Sequence, residues 1–306
     1  MKILIAGGSG LIGRALSQSL LDDGHEVFIL TRQPETARLP QGARAIGWDG
    51  QKIGGWLAVL EQSEAVITLA GQSLASWPWT RAKKQRFFDS RVRPALVLAE
   101  ACGRASRRPK VFLQASAIGY YGPRGDLPVT ETDSPGKDLG ARICQQTEAA
   151  SQPVELLGIR HVILRTGVVL ARESIILKLM TLPVRLFIGG PLGTGTQGFS
   201  WIHIADEVAA IRFLMENEAA SGAFNLTSPE PLSNAEFTQI LAKVLQRPYW
   251  LPVPAILLRL VLGEMSSMVL DGQFVLPERL QKLGFEFRFP HAKEALRDLL
   301  TKQIAV

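Results

Sequence analysis

The first thirteen residues constrain this chain more than any other stretch. Met1 to Ala6 (MKILIA) is a short apolar run, and Gly7-Gly8-Ser9-Gly10-Leu11-Ile12-Gly13 follows at once. The run reads as a buried strand, and the glycines as a turn into a helix over Leu11 to Leu21, which is apolar at helical spacing. Gly8, Gly10 and Gly13 fit G-x-G-x-x-G, and Gly7, Gly10 and Gly13 fit the wider G-x-x-G-x-x-G. In such a turn one glycine permits the tight bend, one lets the backbone approach an anion, and one lets helix and strand pack closely. The anion then rests on unpaired N–H groups at the positive end of the helix dipole. A second strand, Glu26 to Leu30, follows after Asp22-Asp23-Gly24-His25. Strand, turn, helix and strand agree, so the glycines read as a dinucleotide cradle rather than a bare turn.

The tip of the second strand selects the nucleotide. An acid there bonds the ribose 2′-OH of NAD, whereas an arginine accommodates the 2′-phosphate of NADP. Here the strand ends Leu30-Thr31-Arg32 with no acid at its tip. Thr31 can donate a hydrogen bond, and Arg32 can pair bidentately with phosphate. NADP(H) is therefore the expected cofactor, against the alternative that Arg32 is a solvated surface arginine.

Strand and helix patterns continue to alternate. Further strands are expected over Ala43 to Trp48, Ala65 to Ala70, Val111 to Ala115 and His161 to Arg165, with helices over Arg81 to Arg104 and Leu139 to Leu157. Uninterrupted apolar strands alternating with helices imply an α/β fold, a doubly wound parallel sheet of the Rossmann type. Its ligands bind beyond the C-terminal strand ends. Small residues dominate those ends, as in Leu69-Ala70-Gly71, Ser116-Ala117 and Thr166-Gly167.

After Leu170 the alternation weakens. Pro183 to Gly198 reads as a loop, Glu207 to Glu216 as a helix opened by Asp206 as its cap, and Ala223 to Leu226 as a late strand returning to the sheet. Ser233-Asn234-Ala235-Glu236 has capping-box spacing and should open a helix through Leu245. These patterns suggest a nucleotide-binding domain over residues 1–229, to which 173–197 adds part of a substrate lobe. A smaller, mostly helical lobe occupies 230–306.

The formal charge is +6, but the basic residues are spread out. The densest cluster, Arg81 to Arg93, also holds Asp89 and apolar residues at helical spacing. With no basic stripe or aromatic platform, a nucleic-acid partner is not expected; a small anionic ligand is. The two cysteines, Cys102 and Cys144, have no CxxC partner, so neither a disulfide framework nor a metal site is expected. Unpaired thiols and the lack of a signal peptide suggest a cytoplasmic protein. Leu251 to Leu262, interrupted by Pro252, Pro254 and Arg259, is too short to span a bilayer, and the sequence by itself gives no support for peripheral membrane contact.

Taken with ILIAGGSGLIG at the start, several segments resemble the atypical, extended short-chain dehydrogenase/reductases, and within them the NAD-dependent epimerase or sugar-nucleotide epimerase family, YfcH-like. They are LTR (30–32), WDG (48–50), TLAG (68–71), DSRV (89–92), ASAIGYYG (115–122), LRTGVVL (164–170), FSWIHIAD, FNLTSPEPLSNAEF, LPVPAILLRLVLGEM and LPERLQKLGFEF. The resemblance runs over nearly the whole chain, including a C-terminal domain of unknown function. It implies NADP(H) held by Gly7 to Gly13, with Thr31 and Arg32 at the 2′-phosphate and Leu69, Ala70 and Gly71 along the adenosine side. Arg91 would stand where the superfamily has a helix asparagine, and Ala115 would line the cofactor from the strand below. The implied substrate is a small molecule such as a nucleotide sugar.

The superfamily's acid–base engine is a Ser or Thr with Tyr-x-x-x-Lys on one helix face. Four residues after Tyr120, Tyr121 and Tyr249 stand Arg124, Gly125 and Val253, so this chain has no such pair. Ser116, with Ala117 as the alternative register, is the candidate serine, and Tyr120 and Tyr121 are the candidate phenols. Glu148 is expected to be a solvated helix charge and His203 a structural histidine. Two functions stay open: an NADP(H)-dependent oxidoreductase or epimerase with an unusual proton donor, and a non-catalytic NADP(H)-binding sensor or scaffold.

Overall fold

A computed structural model describes residues 1–72 and 80–301. Seven strands form one parallel sheet: β1 (Lys2–Ala6), β2 (Glu26–Thr31), β3 (Arg44–Gly47), β4 (Ala65–Thr68), β5 (Val111–Ala117), β6 (Arg160–Thr166) and β7 (Gly222–Leu226), in the order β7-β6-β5-β4-β1-β2-β3. β2 and β3 extend the sheet on one side of β1, and the chain then crosses back to build β4 to β7 on the other, the doubly wound Rossmann topology expected from the alternating pattern. The late strand does return to the sheet, pairing with β6 at its edge.

Helices cover both faces. Ile3, Ile5, Ile67, Leu113 and Leu164 point toward α1 (Leu11–Asp22) and the helix Ile204–Glu216, and pack with Leu16, Leu20, Ile211 and Leu214. Leu4, Ala6, Val66 and Phe112 point the other way and meet Leu98, Ala101 and Cys102 of α2 (Arg81–Arg104). This two-sided burial is why the strands read as continuous apolar runs. A separate core gathers Trp201, Phe237, Leu241 and Leu296 from the part of the chain after β6, with Leu177 and Val184 packed in. Its helices are α4 (Ile175–Arg185), α6 (Asn234–Leu245) and α8 (Ala292–Leu300), where α3 is Leu139–Ser151, α5 is Ile204–Glu216 and α7 is Ala255–Leu262.

Several expected elements are revised. The helix expected to reach Leu157 ends at Ser151, and residues 152–157 tighten into a 3-10 turn because Pro153 cannot donate to the α-helical ladder. The strand expected to stop at Ala115 continues to Ala117, which places Ser116 on the strand itself. Part of the loop expected from Pro183 is instead the last turn of α4, whose amphipathic face outweighs one lost backbone bond. The capping box at Ser233 and Glu236 is present, and its helix runs to Leu245 as read. Asp206 is not the cap of α5. His203 is, accepting from the Ala205 N–H through Nδ1 at 3.1 Å. The Asp206 carboxylate instead accepts from the backbone N–H groups of Arg288 and Phe289 at 2.8 and 2.9 Å, tying the C-terminal segment to the sheet domain.

Candidate functional site

Parallel strands bring the expected segments to one edge, at the C-terminal ends of β1, β2, β4, β5 and β6. The glycine turn fits a nucleotide for reasons that can be seen atom by atom. Gly7 has φ +84°, and a Cβ there would lie 2.6 Å from the carbonyl of Leu69. The Gly7 bend and the Leu69–Ala70 peptide therefore abut, which joins two segments expected to flank the cofactor. A Cβ on Gly13 would lie 2.4 Å from the Gly7 oxygen and 2.6 Å from the Gly8 Cα, so this glycine sets the distance between α1 and β1. Gly8 is closed off differently, by the Ile29 side chain at 2.7 Å. The left-handed bend thus sits at Gly7, in the wider of the two glycine spacings.

The start of α1 is left open to a ligand. Its cap, Gly10, offers no side-chain acceptor, and the first turn carries no acid. The first-turn amides, those of Leu11, Ile12 and Gly13, make up the positive end of the helix. Ser9 is exposed beside them, its carbonyl accepting from Arg14 at 3.1 Å. Across the edge, Thr31 Oγ1 accepts from the Gln33 N–H at 3.3 Å, and Arg32 is exposed. Arg91 reaches back from α2: it donates to the Gln72 carbonyl at 2.9 Å and to the Phe87 carbonyl at 3.2 Å. A Cβ on Gly71 would stand 3.1 Å from its guanidinium carbon, so Arg91 braces the loop after β4. Burial lowers its pKa. Ala115 is half-buried on β5, its carbonyl taken by the Gln114 side chain at 2.8 Å.

The candidate catalytic residues are brought together by an ion pair that the sequence reading placed in solvent. Glu148 is buried on α3, not solvated. Arg165 of β6 binds it with both arms, Nε to Oε1 at 3.0 Å and a terminal nitrogen to Oε2 at 2.9 Å. A charge inside the sheet face must be paired, and a bidentate carboxylate is the efficient way to do it. Burial works to lower the Arg165 pKa, but Glu148 outweighs it and holds the guanidinium above its ordinary value. Ser116 donates to Glu148 Oε1 at 2.6 Å, so its proton already has an acceptor.

The two tyrosines part company here. Tyr121 is fully buried, donates to Asn225 Oδ1 at 2.6 Å and accepts from Arg165 at 3.1 Å. Burial pushes its phenol up to about 12. Both its hydrogen-bonding roles are spent inside the protein. Tyr120 is only half-buried and lies under Arg165, whose guanidinium carbon is 3.4 Å from the ring centre.

Cys144 was missed in the sequence reading, although the signal was there. Cys144 and Glu148 are four residues apart on α3, a spacing that puts both on one helical face. The thiol sits at the same point, donating to the Ala117 carbonyl at 3.6 Å, and burial pushes it up to about 11. It is therefore a neutral thiol.

On the opposite sheet face, Thr166 donates to Glu207 Oε1 at 2.9 Å, while Glu207 Oε2 has no hydrogen-bond partner among the described residues. Burial raises this carboxyl to about 8, partly opposed by the Thr166 bond. Glu207 thus holds its proton more tightly folded than unfolded. That contribution is complete below the unfolded value of 4.5 and is lost as pH rises through about 8. Glu207→Gln should remove the dependence: in urea titrations the variant should match the parent near pH 4 and exceed its stability by on the order of 5 kcal/mol near pH 9. A parallel pH dependence in parent and variant would show that Glu207 ionises normally.

A cleft of about 600 Å³ is lined by Leu139, Arg259, Gly263, Ser266, Ser267, Leu270 and Asp271. It lies between the start of α3 and the C-terminal lobe. No group of His, Cys, Asp and Glu side chains suited to a metal ion occurs among the described residues.

Known proteins match this arrangement along the whole chain. Residues 3–227 match the model of the NAD dependent epimerase/dehydratase family, and residues 253–299 match a domain of unknown function, DUF1731. An epimerase family protein of Staphylococcus aureus is 39% identical over 303 residues, covering 98% of this chain and 99% of that protein. The human epimerase family protein SDR39U1, solved with NADPH, superposes with a TM-score of 0.85 at 30% identity, covering 98% of this chain and 99% of its own. A nucleoside-diphosphate sugar epimerase from Corynebacterium glutamicum gives a TM-score of 0.79 at 31% identity, covering 98% of this chain and 58% of its own. With a glycine cradle at the sheet edge and these relatives spanning both lobes, the chain belongs to the NAD-dependent epimerase/dehydratase family.

Proposed function

We propose that the chain binds NADP(H) and acts as an oxidoreductase or nucleoside-diphosphate-sugar epimerase on a small, nucleotide-linked substrate. The observation that carries the cofactor choice is the tip of β2, where Thr31 and exposed Arg32 stand without an acid. A carboxylate there would repel a 2′-phosphate, whereas a guanidinium pairs with it. The human relative solved with NADPH supports the same choice.

In this reading Gly7 to Gly13 hold the pyrophosphate, Leu69, Ala70 and Gly71 flank the adenosine, and Ala115 lies beneath the cofactor. Arg91 keeps the loop after β4 in place. The bound cofactor supplies hydride chemistry. Ser116 and Tyr120 are the polar side chains at the strand ends nearest that role, with the Glu148–Arg165 pair orienting Ser116. Tyr121 holds Arg165 from behind. The cleft bordered by Arg259 takes the substrate and has the volume of a small-molecule site. Unpaired Cys102 and Cys144 support a reducing, cytoplasmic setting.

Calorimetric titration with NADPH and NADH tests the reading. NADPH should bind more tightly than NADH, and Arg32→Ala should weaken NADPH by roughly ten- to a hundredfold, as loss of a charged phosphate contact would, while leaving NADH unchanged. Equal binding of the two nucleotides by the parent would overturn the role of Arg32. If NADPH binds but no nucleotide sugar exchanges hydride with it, the chain is a non-catalytic NADP(H)-binding protein.

A further inference from the structure

The C-terminal lobe carries an apolar face that its own core does not use. On α4, Ile175, Ile176, Leu179, Leu182 and Leu186 beyond its end recur at helical spacing and are exposed, while Leu177 and Val184 face inward. The chain then leaves Phe187 and Ile188 exposed as well. Residues 247–251 run alongside: Trp250 donates through Nε1 to the Phe187 carbonyl at 2.9 Å, and its backbone N–H donates to Gly189. Trp250 is 64% exposed. The next helix, α7, leaves Ile256 74% and Leu260 83% exposed. Single exposed apolar residues are ordinary, but so many in adjoining segments mark an interaction surface.

Within the apolar segments themselves the charges share one sign, the nearest acids in the chain, Glu173 and Glu264, standing just outside them. Residues 174–188 contain Lys178 and Arg185 and no acid, and residues 246–263 contain Arg247 and Arg259 and no acid. Arg247 lies on the face itself, its guanidinium carbon 4.7 Å from the centre of the Phe187 ring. An exposed apolar helix flanked by cations and a tryptophan with a satisfied indole N–H suits the boundary of an anionic bilayer. A second copy of the chain suits it less. Pairing about a two-fold axis would bring the cations of one copy beside those of the other with no acid in either segment to neutralise them. No helix among the described residues is long and apolar enough to cross a membrane, so any contact lies in the interfacial plane.

We propose that α4, the Phe187–Ile188 and Trp250–Leu251 turns, and α7 together dock this protein on an anionic lipid surface. The inference does not depend on which nucleotide the chain binds. Its test is co-sedimentation of the full chain with vesicles of phosphatidylcholine alone and of phosphatidylcholine with about 30% phosphatidylglycerol, with oligomeric state measured by light scattering. The protein should pellet with the anionic vesicles, less with the neutral ones, and should release as salt is raised. Leu179→Glu with Leu186→Glu, and separately Lys178→Glu with Arg185→Glu, should each weaken binding about tenfold or more. Melting temperatures should stay unchanged, since all four side chains are exposed. Failure to bind anionic vesicles at low salt would overturn the proposal, as would binding that neither double variant weakens. A stable dimer that dissociates on Leu179→Glu with Leu186→Glu would also overturn it, by assigning the face to a second copy.

Discussion

Arg165→Met should be among the most damaging single substitutions in this protein. It leaves the Glu148 carboxylate buried without its bidentate partner and removes the donor to the Tyr121 oxygen. It also takes away the cation stacked on Tyr120. Stranding one member of a buried ion pair costs about 3–5 kcal/mol, whereas replacing both members with apolar residues is often close to neutral. Urea denaturation should therefore show a loss of about that size for Arg165→Met, with much of it recovered in Arg165→Met combined with Glu148→Leu. A double variant as unstable as the single would mean that the cost comes from lost packing around β6 rather than from the orphaned charge. The same experiment bears on function, because Ser116 donates to the carboxylate that Arg165 holds.

Gly13→Ala should weaken nucleotide binding by about tenfold or more by deforming the cradle. The added methyl would lie 2.4 Å from the Gly7 oxygen, and that neighbour is backbone, which cannot swing aside. Overpacking of this kind costs about 1–3 kcal/mol, and a shift of about 1 Å in a positioned site can cost on the order of a hundredfold in function. Gly10→Ala is the matched comparison. A Cβ there meets only the Gly7 oxygen, at 3.3 Å, so the fold should hold while the methyl still crowds the approach of a pyrophosphate. Calorimetric titration with NADPH should show both variants binding at least tenfold more weakly, with thermal melting lowered in Gly13→Ala only. Normal binding by Gly13→Ala would remove the helix–strand spacing from the account of the site.

Much of the site was written in local patterns. The strand, glycine turn and helix at the N-terminus each have a signature within a dozen residues, and the β2 tip follows from where an apolar run ends. The capping box at Ser233 is local for the same reason. The errors came where a side chain's partner lies far off in the chain. Asp206 has the composition of a cap, yet its acceptors serve N–H groups 82 and 83 positions away. Glu148 looks like any helix acid until Arg165, 17 positions later, is folded against it. An arginine directly after the apolar run Val162-Ile163-Leu164 was the available hint, since a charge buried there must have a partner.

The sequence by itself determined the layered α/β architecture, the position of the glycine turn between β1 and α1 and the absence of an acid at the β2 tip. These rest on hydrophobic period and on glycine's missing Cβ, properties that each short segment carries alone. Only the tertiary structure decided that Gly7 makes the left-handed bend, that Tyr121 is locked away while Tyr120 is not, and that Ser116, Cys144, Glu148 and Arg165 form one cluster. Those outcomes depend on strand order and on which sheet face meets which helix. Pairings between distant segments are set by burial and electrostatic neutralisation across the whole fold, which no local window of sequence contains.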